Sequence, residues 1–93
     1  MINSFSDKQT ELIFNGIKST KLPSDIQNVA RRKLRMIAAA KEIDDLRIPP
    51  GNRLERLKGN LAYYWSIRIN DQWRIIFLFE NGGAYDVRIT DYH

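Results

Sequence analysis

A chain of 93 residues, 43% of them hydrophobic, can build one hydrophobic core but not two, so a single domain spanning residues 1–93 is expected and a two-domain enzyme is excluded. Fifteen Lys and Arg against eleven Asp and Glu leave a net charge of +4, which favours a polyanionic partner such as nucleic acid. No cysteine and a single histidine argue against a thiolate or histidine-rich metal centre, and no run has transmembrane or signal-peptide form, so a cytoplasmic protein with no metal and no membrane contact is expected.

Ile2 to Phe5 can form a short strand, and Ser6-Asp7-Lys8-Gln9 has capping-box spacing that opens a helix running to about Asn15, with Gly16 placed to end it. Lys18 to Pro23 is loop-like and cationic. Ser24-Asp25-Ile26-Gln27 repeats the capping box ahead of a second helix, in which Ile26, Val29, Ala30, Leu34, Ile37 and Ala38 fall on one face and Asn28, Arg31, Arg32 and Arg35 on the other. Arg31-Arg32-Lys33 with Arg35 would either follow a nucleic-acid backbone or keep the helix soluble. Pro49-Pro50-Gly51-Asn52 forbids helix and marks a hinge between the halves.

From Arg53 the hydrophobic period becomes two. Arg53 to Lys58 reads as one strand, Gly59-Asn60 as a turn and Ala62 to Ile69 as a second strand. If Asn70-Asp71-Gln72 is a three-residue loop, Ile69 faces Trp73, Ile67 faces Ile75 and Trp65 faces Phe77. A three-residue loop at Asn81-Gly82-Gly83 likewise pairs Phe79 with Tyr85, Phe77 with Val87 and Ile75 with Ile89, which makes one sheet face continuously apolar. The expected fold is therefore α+β, with two N-terminal helices packed on one face of a small, mainly antiparallel sheet. The other face carries Ser66, Arg68, Arg74, Arg88, Thr90 and Tyr92. There Arg68 opposes Arg74, a repulsive pair unless an anion lies between them.

Arginine forks grip phosphate and tyrosine rings stack on unpaired bases, so Arg68 and Arg74 with Tyr64 and Tyr92 form a candidate phosphate and base platform; a solvated sheet face has the same pattern. Asp91-Tyr92-His93 places a carboxylate, a phenol and an imidazole at the end of the last strand, groups suited to proton transfer. Arg53, Arg56 and Lys58 add cations before the first hairpin.

Leu57-Lys58-Gly59, Tyr64-Trp65-Ser66-Ile67-Arg68, Trp73-Arg74-Ile75 with Phe77, and Asp91-Tyr92-His93 occur in the order found in the HigB toxins, a branch of the RelE/ParE superfamily, and most of the chain resembles that family. The resemblance implies a RelE-like α+β fold and a toxin that cuts messenger RNA in the ribosomal A site. It implies a helix-turn-helix antitoxin of HigA type, through which alone the toxin would meet DNA. It assigns the scissile phosphate to Lys58 and Arg74, proton transfer to Asp91 and His93, and substrate stacking or positioning to Tyr92; beside these, residue type and the sheet-face pattern make Arg56, Tyr64, Arg68 and Arg88 candidate substrate contacts. Two residues before Leu-Lys-Gly the family carries a histidine; this chain has Glu55, a carboxylate able to serve as a base but not as a cationic acid. The chemistry would be metal-free attack of the ribose 2′-hydroxyl on the adjacent phosphate. Rival readings are a non-catalytic gyrase-blocking toxin like the ParE branch, and a plain RNA-binding module.

Overall fold

The computed structural model describes residues 1–92. Among them, two α-helices, α1 (Lys8–Phe14) and α2 (Ser24–Ala39), precede four strands, β1 (Glu55–Arg56), β2 (Trp65–Arg68), β3 (Trp73–Glu80) and β4 (Gly83–Asp91). The strands form one antiparallel sheet in sequence order. Both helices lie against β4 and α2 also against β3. Between them Ile13, Ile26, Ala30, Leu34, Ile37, Ile67, Ile75, Phe77, Val87 and Ile89 close a core whose members are each at most 6% exposed. The expected apolar helix face and the expected sheet face thus meet. No described helix is long and apolar enough to cross a membrane.

The helix starts differ from the capping boxes read in the sequence. Asp7, not Ser6, caps α1, its carboxylate accepting from the Thr10 N–H at 2.7 Å. At α2 the cap is Pro23, which has no side-chain acceptor, and Gln27 turns inward instead of closing a box with Ser24. Its amide exchanges two hydrogen bonds of 2.9 Å with the Ser19 backbone and donates a third to the Leu22 carbonyl, so it pins the incoming loop to the helix. A buried amide needs all its partners, and the loop backbone supplies them where a reciprocal cap would not.

Lys33 is also corrected. It is 6% exposed rather than part of a solvated cationic face, and its ammonium donates to the Arg68 carbonyl at 2.7 Å, tying α2 to the end of β2. Burial, with Arg32 and Arg68 adding repulsion, lowers its pKa.

The first strands are shorter than expected. Arg53 sits in the left-handed region (φ 47°) at the end of a tight turn over Pro50–Asn52, and Gly59 (φ 68°) opens another over Gly59–Leu61, so extended backbone survives only at Glu55–Arg56 and Trp65–Arg68. The β2–β3 register is as read, with Trp65 opposite Phe77, Ile67 opposite Ile75 and Arg68 opposite Arg74.

The last hairpin departs in a compensated way. Its loop has two residues, Asn81 and Gly82, both at positive φ (52° and 77°), which is the backbone that matches strand twist in a tight hairpin. Phe79 consequently faces Ala84 and Leu78 faces Tyr85, not Phe79 with Tyr85. A bulge then restores the expected pairing of Ile75 with Ile89 and Arg74 with Thr90, and Asp86 (φ 51°) beside Val87 is the extra residue opposite Phe77. The bulge turns Ala84 and Val87 both inward, each fully buried, and leaves Tyr85 39% exposed, so the apolar face is not the unbroken alternation expected.

The expected N-terminal strand is present as two isolated parallel bridges, Ile2 to Ala84 and Phe5 to Val87. Backbone bonds join Met1 and Asn3 to Ala84, and Ser4 and Ser6 to Val87. The Ser4 hydroxyl accepts from Asp86 N–H and the Thr10 hydroxyl from Ile89 N–H, both at 2.9 Å. Residues 1–10 therefore cover the outer edge of β4.

Candidate active site

The sheet face turned away from the helices is built outward from Arg74. Its place on β3, flanked by β2 and β4, is fixed by the apolar neighbours Ile75 and Trp73, which alternate with it or pack on the core. Only 11% of its side chain is exposed. Nη1 donates to Glu55 Oε1 at 3.0 Å and to the hydroxyl of Ser66 at 3.2 Å, and the Tyr92 ring lies 4.3 Å from the guanidinium carbon. The Tyr92 hydroxyl reaches the same Glu55 oxygen at 3.5 Å. Arg74 is thus on the expected face but is braced on three sides rather than open to solvent.

Beside it, Leu57, Lys58, Leu61, Ile76, Arg88, Thr90, Asp91 and Tyr92 line a cleft of about 340 Å³. The tight turn at Gly59–Leu61 folds this segment over the sheet, which explains why Ile76, on the polar face, is only 2% exposed. Lys58 stands exposed at the cleft and makes no ion pair among the described residues. Arg88 Nε is buried without a hydrogen-bond partner among the described residues. Asp91 Oδ2 accepts from the Gln72 side-chain amide at 3.0 Å, and the Tyr92 N–H donates to the Gln72 carbonyl at 2.6 Å, which fixes the end of β4 against the β2–β3 loop.

Of the residues picked from sequence, the fold brings Glu55, Lys58, Arg74, Arg88, Asp91 and Tyr92 to this one cleft or its edge. His93 lies outside the described residues. Arg68 opposes Arg74 as read, but no anion is needed between them. Arg68 pairs with Asp71 at 2.5 Å and Arg74 with Glu55, so each guanidinium carries its own carboxylate, and Arg68 holds the Asp71 carboxyl below its usual range.

Arg56 and Tyr64 do not join the cleft. The Arg56 guanidinium lies 4.9 Å from the Trp65 ring centre and its Nε donates to the Ala62 carbonyl at 3.0 Å, while the Tyr64 hydroxyl is 3.4 Å from Asp86. Arg56, Trp65 and Asp86 line a separate, larger cleft of about 760 Å³ whose lining includes neither Arg74 nor Asp91 and Tyr92.

Ser66, which meets Arg74, was not among the candidate residues picked from the sequence. It is fully buried, and the signal was available: a small hydroxyl between Trp65 and Ile67, on the same strand face as Arg74.

Two helices over an antiparallel sheet whose far face holds an arginine-centred cationic cleft define a small basic α+β protein. Residues 3–93 match the model of the HigB-like toxins, described as RelE-like toxins of the type II toxin-antitoxin system HigB. The chain is 47% identical over 85 residues to Toxin HigB-1 of Vibrio cholerae serotype O1, covering 90% of each, and 40% identical over 98 residues to Endoribonuclease HigB of Proteus vulgaris, covering 100% of each. Its fold is similar to that of a YafQ mutant from E. coli, with a TM-score of 0.64 at 15% identity over 98% of this chain and 91% of that one. The chain belongs to the HigB-like family of RelE-like toxins. As the toxin of a type II pair, it has an antitoxin partner.

Proposed function

We propose that this toxin is an endoribonuclease that cuts messenger RNA on the ribosome, and that the Arg74 cleft is its active site. The observation that carries the reading is the convergence of Lys58, Arg88, Asp91 and Tyr92 on one cleft, with Arg74 at its edge against the Tyr92 ring and Arg88 Nε buried without a partner among the described residues. The Proteus vulgaris relative named as an endoribonuclease supports it.

In this reading the ribose 2′-hydroxyl attacks the adjacent phosphorus, and the O5′ bond breaks to leave a cyclic phosphate and a 5′-hydroxyl. Arg74 and Lys58 neutralise the charge that develops on the phosphoryl oxygens, and Arg88 offers a further donor. Asp91 and His93 take the proton from the 2′-hydroxyl and return one to the leaving oxygen. Tyr92 stacks on Arg74 from one side and meets a substrate base or ribose on the other. Glu55 holds Arg74 and Tyr92. The ribosome supplies much of the in-line geometry, so the cleft need only provide charge and proton transfer. The antitoxin is of the helix-turn-helix type, contact with DNA runs through it, and the pair acts in the cytoplasm.

The test is to induce the toxin and map messenger 5′ ends, in parallel with purified toxin on naked RNA and with EDTA present. New ends inside translated codons, little cutting of naked RNA and indifference to EDTA are expected. Efficient cleavage of naked RNA refutes the ribosome dependence, and growth arrest without any new ends moves the assignment to a gyrase-blocking toxin.

A further inference from the structure

We propose that Ser66 is a positioning residue that aims the Arg74 guanidinium at the scissile phosphate; this deepens the nuclease reading above and rests on it. A guanidinium carries five N–H donors in a rigid plane, two of them on Nη1. Glu55 Oε1 at 3.0 Å and Ser66 Oγ at 3.2 Å account for both hydrogens of Nη1. Among the described residues, Nε and Nη2 meet no acceptor, and neither is buried without one. The guanidinium is therefore held by one corner, and its Nε–Nη2 edge, with parallel N–H groups, remains for a two-point contact with phosphate.

The sheet register builds this bracket. Glu55 pairs directly with Ser66 across β1 and β2, and Arg74 is diagonal to Ser66, one step from its own cross-strand partner Arg68. Diagonal neighbours on a sheet face lie within reach of a long side chain. Glu55 is 45% exposed and can exchange partners with water, whereas Ser66 has no exposed surface at all. A buried hydroxyl is costly unless bonded, and the bond found for Ser66 Oγ is the one from Arg74. Ser66 thus fixes the direction of the fork from below while Tyr92 covers one of its faces.

The experiment is a double-mutant cycle of Ser66→Ala and Arg74→Lys, read as the single-turnover rate constant and half-saturating concentration for cleavage of ribosome-bound messenger, together with the Nε–H resonance of Arg74 by nitrogen-15 NMR and a thermal melt. In the Arg74 background, Ser66→Ala is expected to lower the rate constant about 10- to 100-fold with little change in the half-saturating concentration, because misplacement of a positioned group acts on the reacting geometry. In the Arg74→Lys background it is expected to change nothing, since an ammonium has no edge to aim. The Arg74 Nε–H is expected to exchange faster with solvent in Ser66→Ala. If Ser66→Ala does not fold, Ser66→Cys, which keeps the volume and weakens the acceptor, replaces it in each arm. An equal fold-loss in both backgrounds, or an unchanged Nε–H, overturns the assignment. The NMR arm needs no substrate, so with an inactive wild-type protein the nuclease reading fails while the Nε–H exchange alone still decides whether Ser66 holds the Arg74 guanidinium.

Discussion

Replacing Arg74 by Ala separates the chemistry of the cleft from the stability of the sheet, and its cost can be worked out contact by contact. The pair with the half-exposed Glu55 is worth about 0.2–1 kcal/mol, since water screens it. The hydrogen bond to buried Ser66 adds about 0.5–1.5 kcal/mol. The stack on the 45% exposed Tyr92 ring adds about 0.5–1 kcal/mol. Together these come to about 1.2–3.5 kcal/mol against the roughly 5–14 kcal/mol available to a domain of this length. At about 4–8 °C per kcal/mol, a fall in Tm of about 5–28 °C follows. The variant is expected to remain folded at 25 °C. Activity is another matter, because loss of one donor to a developing phosphoryl charge typically costs about 10²- to 10³-fold in rate. Calorimetry and 5′-end mapping after induction measure the two effects. A variant that cuts within a few-fold of wild type, or one that is unfolded at 25 °C, would refute the reasoning.

Phe77→Ala, which empties a fully buried site between sheet and helices, should lose about 3–5 kcal/mol, and the half-buried Trp73 should lose less on truncation; equal denaturant midpoints for the two would contradict the packing. Deleting Tyr92 and His93 should give a folded, non-toxic protein that still binds its antitoxin in a pull-down, because Tyr92 is 45% exposed and adds little burial; retained toxicity would remove the tail from the mechanism. Asp45 accepts the Glu42 and Lys41 N–H groups at 3.1 and 3.0 Å, which hold its carboxyl below its ordinary value of 3.8. That contribution is present above pH 3.8 and is lost as pH falls through the lower folded value, so Asp45→Asn should flatten part of the acid side of a Tm-against-pH curve.

Much of the fold was legible because hydrophobic period and loop parity constrain each other. The pairing of Ile75 with Ile89 was read correctly for an incorrect reason: a three-residue loop gives the same register as a two-residue turn followed by one bulged residue. Alternation alone cannot distinguish the two, and the exposed Tyr85 is where they differ. The capping boxes failed because the pattern specifies only that a polar side chain can cap. At Gln27 the buried loop backbone outcompeted the helix end, and at Ser6 the better acceptor stood one residue later. The arginine face was placed correctly, but its electrostatics were not. Glu55 and Asp71, on neighbouring loops and strands, neutralise the cross-strand pair, and such partners become visible only when β1 is docked. Arg56 and Tyr64 were grouped with the arginine face by residue type, and the fold places them beside Trp65 and Asp86, away from the Arg74 cleft.

The cover that residues 1–10 provide for β4 also sets an order of assembly. Met1 bonds to Ala84, Ser4 to Val87 and Thr10 to Ile89, so this segment waits for a strand made some 80 residues later. Until β4 emerges, β3 has an open edge, both helices lack the strand they share as a support, and Tyr92 cannot stack on Arg74. The nascent chain therefore carries its cations without the cleft that organises them. The toxin thus gains its organised cleft only once β4 has been made and docked against the helices and β3, whatever the order in which the earlier elements form.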